Sequence, residues 1–134
     1  MNTTTKPSKA VVWISYIMQG LITLSLVMGA AFNLSGSEEA VKGSADMGYP
    51  VSVMPIFGIT MLLCAILYVI PRTSILGLVL ISGWIGGAVA THIIHHDSIG
   101  KIIFPAVYAV IAWGAIWLRN EQLRAVLPFS KKTS

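Results

Sequence analysis

Charged and apolar positions fall in separate blocks along this chain. No Asp, Glu, Lys or Arg occurs in 10–37, 51–71, 73–96 or 102–118. Inside each window apolar residues run all round the helical projection instead of along one stripe. That is the pattern of a helix buried on every side or facing lipid. Each window can cross a hydrocarbon core of about 30 Å, which takes roughly 20 helical residues. Spanning β-strands would show segments of about ten residues with alternating polarity, and these runs do not alternate. The pattern predicts an all-α fold, a transmembrane four-helix bundle in a single integral membrane domain over 1–134. The spans are expected at about 10–34, 51–70, 74–95 and 102–118, with a connection at 35–49.

The polar positions refine these elements. Ser15, Gln19 and Thr23 or Ser25 share about one face of the first span, which should turn towards the other helices. Its apolar run exceeds a signal-peptide core, so it reads as an uncleaved span. In the first connection, Ser37 followed by Glu38-Glu39-Ala40 predicts a short capped helix with acids in its first turn. Pro55 falls in the first turns of the second span, where proline is tolerated. Pro71-Arg72 makes a tight turn into the third span, which carries Ser82, Gly83, Gly86, Gly87 and Ala90. Gly83-xxx-Gly87 lets helices approach closely, either within one bundle or as the seam of a homo-oligomer. The fourth span has Pro105 near its start, and Trp113 and Trp117 are placed for an interfacial aromatic belt. The tail from Arg119 is expected to continue the helix as far as Pro128.

Composition and charge add orientation. The chain is 55% hydrophobic and 10% charged, too apolar for a soluble domain of this length. Its net charge of +4 includes no basic stripe with interleaved aromatics, so nucleic acid is not an expected partner. Lys6, Lys9, Arg72, Arg119, Arg124, Lys131 and Lys132 fall at the termini and the second connection; only Lys42 and Lys101 fall elsewhere. The positive-inside rule places both termini and the Arg72 turn in the cytoplasm, with Arg72 as a topology anchor, and 35–49 outside. The single cysteine, Cys64, excludes an internal disulfide and a paired-thiol relay. No span carries an acidic or basic residue in its interior, which argues against a proton pump or ion-coupled transporter.

Candidate chemistry gathers at one point. All three histidines, His92, His95 and His96, close the third span and run into Asp97. On a continuous helix they lie within an arc of about 100°. With Glu38, Glu39, Asp46 and Asp97 on the same side of the membrane, they outline an acidic–histidine mouth. His92, one turn deeper, is the stronger candidate, because an ionisable group at depth is costly unless used or paired. Two histidines such as His92 and His96 plus a carboxylate would suit a divalent metal. The plain alternative is a helix end whose histidines meet water. Haem is disfavoured in a monomer, since every histidine lies on one helix.

These residues, in this order, resemble the DoxX-like family of small four-span membrane proteins. The resemblance covers about 30–119. It rests on Glu38-Glu39, Gly48-Tyr49-Pro50, Pro55-Ile56-Phe57-Gly58-Ile59, Ile70-Pro71-Arg72, Gly86-Gly87-Ala88-Val89-Ala90-Thr91-His92 with Asp97, and Pro105. It implies a prokaryotic inner-membrane, multi-pass bundle and a link to quinone-dependent oxidation. It marks Glu39, Tyr49, Arg72, His92 and Asp97 as the residues to watch.

Two functions follow. The first is a binding or accessory subunit that holds a quinone or lipid and supports a partner membrane or redox protein. The second is a membrane enzyme, an oxidoreductase among the options, acting on a small apolar substrate. There His92 would serve as acid–base or ligand, Glu39 or Asp97 would orient it, and Tyr49, Glu38, His95 and His96 would line the mouth. A purely structural bundle is the third option.

Overall fold

The computed structural model describes residues 5–129. Those residues are all-helical, with no strand among them. The basic pair Lys131 and Lys132 lies outside them. The first span is α1, Lys9–Ser35. It opens on Ser8, whose Oγ accepts from the Val11 N–H at 3.3 Å, and stops at Gly36 in the left-handed conformation, φ 61°. The expected capped helix in the connection is α2, Glu38–Asp46, with Ser37 Oγ accepting from the Ala40 N–H at 3.2 Å. One 3₁₀ turn, Val51–Val53, leads into α3, Met54–Val69, with Pro55 in its first turn. The Pro71 turn delivers α4, Ser74–Ile94, and then α5, Ile99–Trp117. Four helices are long and apolar enough to cross a membrane.

Two boundaries differ from expectation. The fourth span starts at Ile99, not Ile102, because the backbone N–H groups of Lys101 and Ile102 already bond to Ser98 O. Pro105 therefore lies inside α5, where it removes one backbone hydrogen bond. The tail helix is also not continuous. The chain breaks at Asn120, whose Oδ1 accepts from the Leu123 N–H at 2.9 Å and starts a separate α6, Glu121–Val126. Asparagine ends one helix and caps the next because its side chain competes for backbone donors. Leu123 of α6 then closes the end of the core.

The helices form a ring: α1 packs on α3 and α5, and α4 packs on the same two. All adjacent pairs are antiparallel, so the start of α1 and the end of α5 share one end with the α3–α4 turn. This is the arginine end. The histidine end holds α2, the last turn of α4 and the first turn of α5. Ile22, Leu26, Tyr68, Leu78, Ile81 and Ile116 fill the centre. Phe104, Val110, Ile94 and Trp13 are each at least 70% exposed. So broad an apolar surface on a spanning bundle is the face that meets lipid.

Lipid tails are as apolar as leucine, so close approach and internal hydrogen bonds must hold the ring together. At Gly77 a Cβ would stand 2.5 Å from Tyr68 N, and at Gly58 it would stand 3.1 Å from the Ala30 carbonyl oxygen. Gly83, Gly86 and Gly87 are different: a Cβ at any of them would meet nothing within 4 Å. The Gly83-xxx-Gly87 stripe thus does not seal the bundle. Tyr68 is fully buried and bonded at both ends: its hydroxyl donates to Ala112 O at 2.8 Å, and its carbonyl accepts from Gln19 Nε2 at 2.8 Å. The two tryptophans expected at an interfacial belt find protein partners. Trp113 Nε1 donates to Ser82 Oγ at 2.7 Å, and Trp117 Nε1 donates to Leu127 O at 3.0 Å.

Candidate functional site

The local structure at the end of α4 builds the site. The helix stops at Ile94, and His95 is its C-cap. The His96 N–H bonds to Ile93 O and the Asp97 N–H to His92 O, both at 3.0 Å, with His96 at φ 53°. This is the paired closure that usually places glycine at the left-handed position. Here histidine occupies it, one of the few side chains enriched there. Two consequences follow. The three histidines do not share an arc, because His95 and His96 have left the helix. Asp97, in turn, is folded back over the last turn, where its Oδ2 lies 2.7 Å from His92 Nδ1.

His92 and Asp97 are each about 19% exposed. The carboxylate accepts from Nδ1–H, which leaves Nε2 as the free ring nitrogen. The His92 hydrogen bond, aided by Lys101 with its Nζ 3.4 Å from Asp97 Oδ1, holds the Asp97 carboxyl below the usual range. His95 serves a different purpose. Its Nε2 donates to Met47 O at 2.8 Å and ties the α2–α3 connection to the end of α4. That connection turns at Gly48, φ 75°, against the His95 ring.

The tie brings Tyr49 over α4. Thr91 Oγ1 donates to Gly87 O at 2.9 Å, so its lone pair accepts the Tyr49 hydroxyl proton. The Tyr49 ring meets Phe57 edge-to-face at 5.0 Å, and Phe57 meets Trp84 in the same way at 5.1 Å. Such pairs hold aromatic walls in fixed orientation. Between α3, α4 and the connection lies a cleft of about 320 Å³, lined by Met47, Tyr49, Phe57, Gly83, Trp84, Gly87, Ala88, Thr91 and His92. The glycines at 83 and 87 keep it open, since any side chain there would enter unoccupied space. The walls are mostly apolar, and the Tyr49–Thr91 pair and His92 supply polar groups.

Among the residues singled out from sequence, Tyr49, His92 and Asp97 come together. Glu38 and Glu39 are exposed in the first turn of α2 and do not line the cleft; Arg72 is exposed in the turn at the opposite end. His96 is exposed and turned out of the helix. Among the described residues, no three His, Cys, Asp or Glu side chains are grouped to hold a metal ion. His92 has only Asp97 beside it, so the donor set does not suit a His92–His96 metal centre. Sequence reasoning did not single out Trp84 or Met47, and it used Phe57 and Thr91 only as family marks. The i, i+3, i+4 and i+7 spacing of Trp84, Gly87, Ala88 and Thr91 was the available signal.

Searches of curated proteins and of solved structures find no match. The sequence profile described as the DoxX-like family matches residues 17–115, which runs from within α1 to within α5 and includes the whole cleft. With four spanning helices and this match over most of its length, the chain is an integral membrane protein that belongs to the DoxX-like family.

Proposed function

We propose that the protein binds a small apolar molecule of the quinone class in the cleft at the histidine end and serves as an accessory subunit of a membrane redox system. One observation carries this reading: an aromatic-walled cleft of about 320 Å³ with His92 and the Tyr49–Thr91 pair among its lining. Small-molecule sites are of this kind, mostly apolar with a few placed polar groups, and this volume lies near the lower end of their range. A quinone has a flat ring for the aromatic wall, where Phe57 and Trp84 stand nearly perpendicular, and a carbonyl for the polar groups. Neutral His92 offers Nε2 as acceptor to a quinol hydroxyl, and protonated His92 offers a donor to a quinone carbonyl.

The His92–Asp97 pair supports the second reading, an enzyme acting on such a molecule. A carboxylate on Nδ1 fixes the orientation of the imidazole, the arrangement that general acid–base catalysis needs. Both readings place one integral membrane domain in a prokaryotic inner membrane. Lys9, Arg72, Arg119 and Arg124 cluster at the arginine end, which favours that end in the cytoplasm and the cleft outside. Extraction of the detergent-purified protein tests the ligand. Wild type is expected to carry a quinone that Gly87→Leu lacks, because a side chain at 87 grows into the cleft from a position where a Cβ meets nothing within 4 Å. Equal quinone content in the two proteins would refute the assignment.

A further inference from the structure

The opposite end holds a charge that the cleft at His92 does not use. Arg119 follows α5 and turns back into the bundle. Its Nη1 donates to Ser15 Oγ at 3.1 Å and Ala115 O at 3.3 Å, and its Nη2 donates to Gln19 Oε1. Its face stacks on the Tyr16 ring, 4.2 Å from the centroid. These partners are themselves fixed. Ser15 Oγ donates to Val12 O, and Gln19 Nε2 donates to Tyr68 O, each at 2.8 Å, so both turn an acceptor towards the guanidinium. Every partner is neutral. Among the described residues no carboxylate lies within 4.0 Å of Arg119. Ser15 is fully buried and Gln19 is 7% exposed. The structure therefore commits buried polar groups to holding one cation in place without neutralising it.

The guanidinium has five donors, and unused ones remain. It lines a cavity of about 370 Å³ with Tyr16, Gln19, Val69, Ser74 and Glu121. Ser74 opens α4, where no side chain caps the helix and no acid occupies the first turn. The positive end of that helix adds to the same field. The Glu121 carboxylate also lines the cavity, but it is exposed and not paired with Arg119. A second hollow, apolar and of about 390 Å³, shares Tyr16, Gln19 and Val69 with the first. It runs along the lipid face of α1 past Gly20, Leu24 and Val27.

We infer that the arginine end binds one anionic phospholipid, its phosphate at Arg119 and one acyl chain along the α1–α3 hollow. A fixed, unneutralised guanidinium recognises phosphate oxygens. An apolar hollow continuous with it, on a face that meets lipid, fits the chain that a free phosphate lacks.

Native mass spectrometry of the delipidated full-length protein tests this, with phosphatidylglycerol, phosphatidylcholine or inorganic phosphate added separately. Wild type is expected to retain one phosphatidylglycerol in preference to phosphatidylcholine. Arg119→Gln is expected to weaken that binding roughly tenfold or more, the worth of one charge-assisted contact. Gly20→Phe projects into the hollow from a position where a Cβ meets nothing within 4 Å; it is expected to keep the wild-type circular dichroism and to weaken phosphatidylglycerol to a similar degree. It keeps the test decisive where Arg119→Gln fails to fold. Equal retention of the two lipids would overturn the inference, as would phosphatidylglycerol binding untouched by Gly20→Phe. Binding of inorganic phosphate that matches the lipid and ignores Gly20→Phe would overturn the lipid assignment.

Discussion

Gly77→Ala should destabilise the bundle, whereas Gly83→Ala should not, although both glycines lie on the same helix. At 77 the added Cβ would stand 2.5 Å from Tyr68 N, 2.6 Å from Tyr68 Cα and 2.9 Å from Leu67 C. Carbon contacts settle at about 3.5–4.0 Å, so α4 would have to retreat by roughly 1 Å. The obstacle is backbone and cannot rotate away. Tyr68 is also held by the Gln19 bond to its carbonyl and by its own bond to Ala112 O. Overpacking of this sort costs about 1–3 kcal/mol; 2 kcal/mol is roughly a thirtyfold loss in the folded-to-unfolded ratio. At 83 no atom lies within 4 Å, and alanine's helix preference is worth up to about 1 kcal/mol in the opposite direction. Reversible unfolding in mixed detergent, followed by circular dichroism, measures both. Equal stability of the two variants would refute the claim that Gly77, and not the Gly83-xxx-Gly87 stripe, seals α4 against α3.

Gln19→Leu removes one of the three acceptors of Arg119 and the donor to Tyr68 O together. It is expected to cost about 1–3 kcal/mol in the same unfolding assay, since a charged donor and a buried carbonyl lose partners; a change near zero would show that the network is not holding α1 to α3. Asp97 gives a pH signature. Its carboxyl is held below the usual range, first by the His92 hydrogen bond and then by Lys101. The stabilisation is therefore complete above the unfolded carboxyl value of about 3.9 and disappears as pH falls through the lower folded value. Melting temperatures recorded downwards from pH 5 should fall more steeply for wild type than for Asp97→Asn; parallel curves would contradict the pairing.

The spans were legible because charge is excluded from them, and the α2 cap because Ser37 and the acids after it carry their own signal. The inward face of Ser15 and Gln19 was legible too, since polar residues in a span have few other places to go. The cleft walls were hidden by the same physics. In a span that is apolar all round, periodicity does not tell Phe57 from a lipid-facing neighbour, and for Trp84 the only signal was the face it shares with Gly87, Ala88 and Thr91. The turn that brings Asp97 onto His92 depends on His96 in a conformation normally marked by glycine or asparagine, so the sequence reads there as continuing helix. Arg119 illustrates a third kind of gap. A basic residue at a span's end satisfies the positive-inside rule whether it points to water or folds back onto Gln19, and only packing separates the two. The break at Asn120 had a local cue, a capping residue before Glu121, that the apolar tail beyond it obscured.

The most direct test of the cleft as a binding site is a thermal-stability titration with a short-chain benzoquinone, comparing purified wild type with Gly87→Leu. A ligand that binds only the folded protein adds about 2.7 kcal/mol at a hundred times its Kd. The cleft account predicts a saturable rise in melting temperature for wild type and none for Gly87→Leu, with the two unliganded proteins melting alike. No rise for wild type, or an equal rise in both, would contradict it.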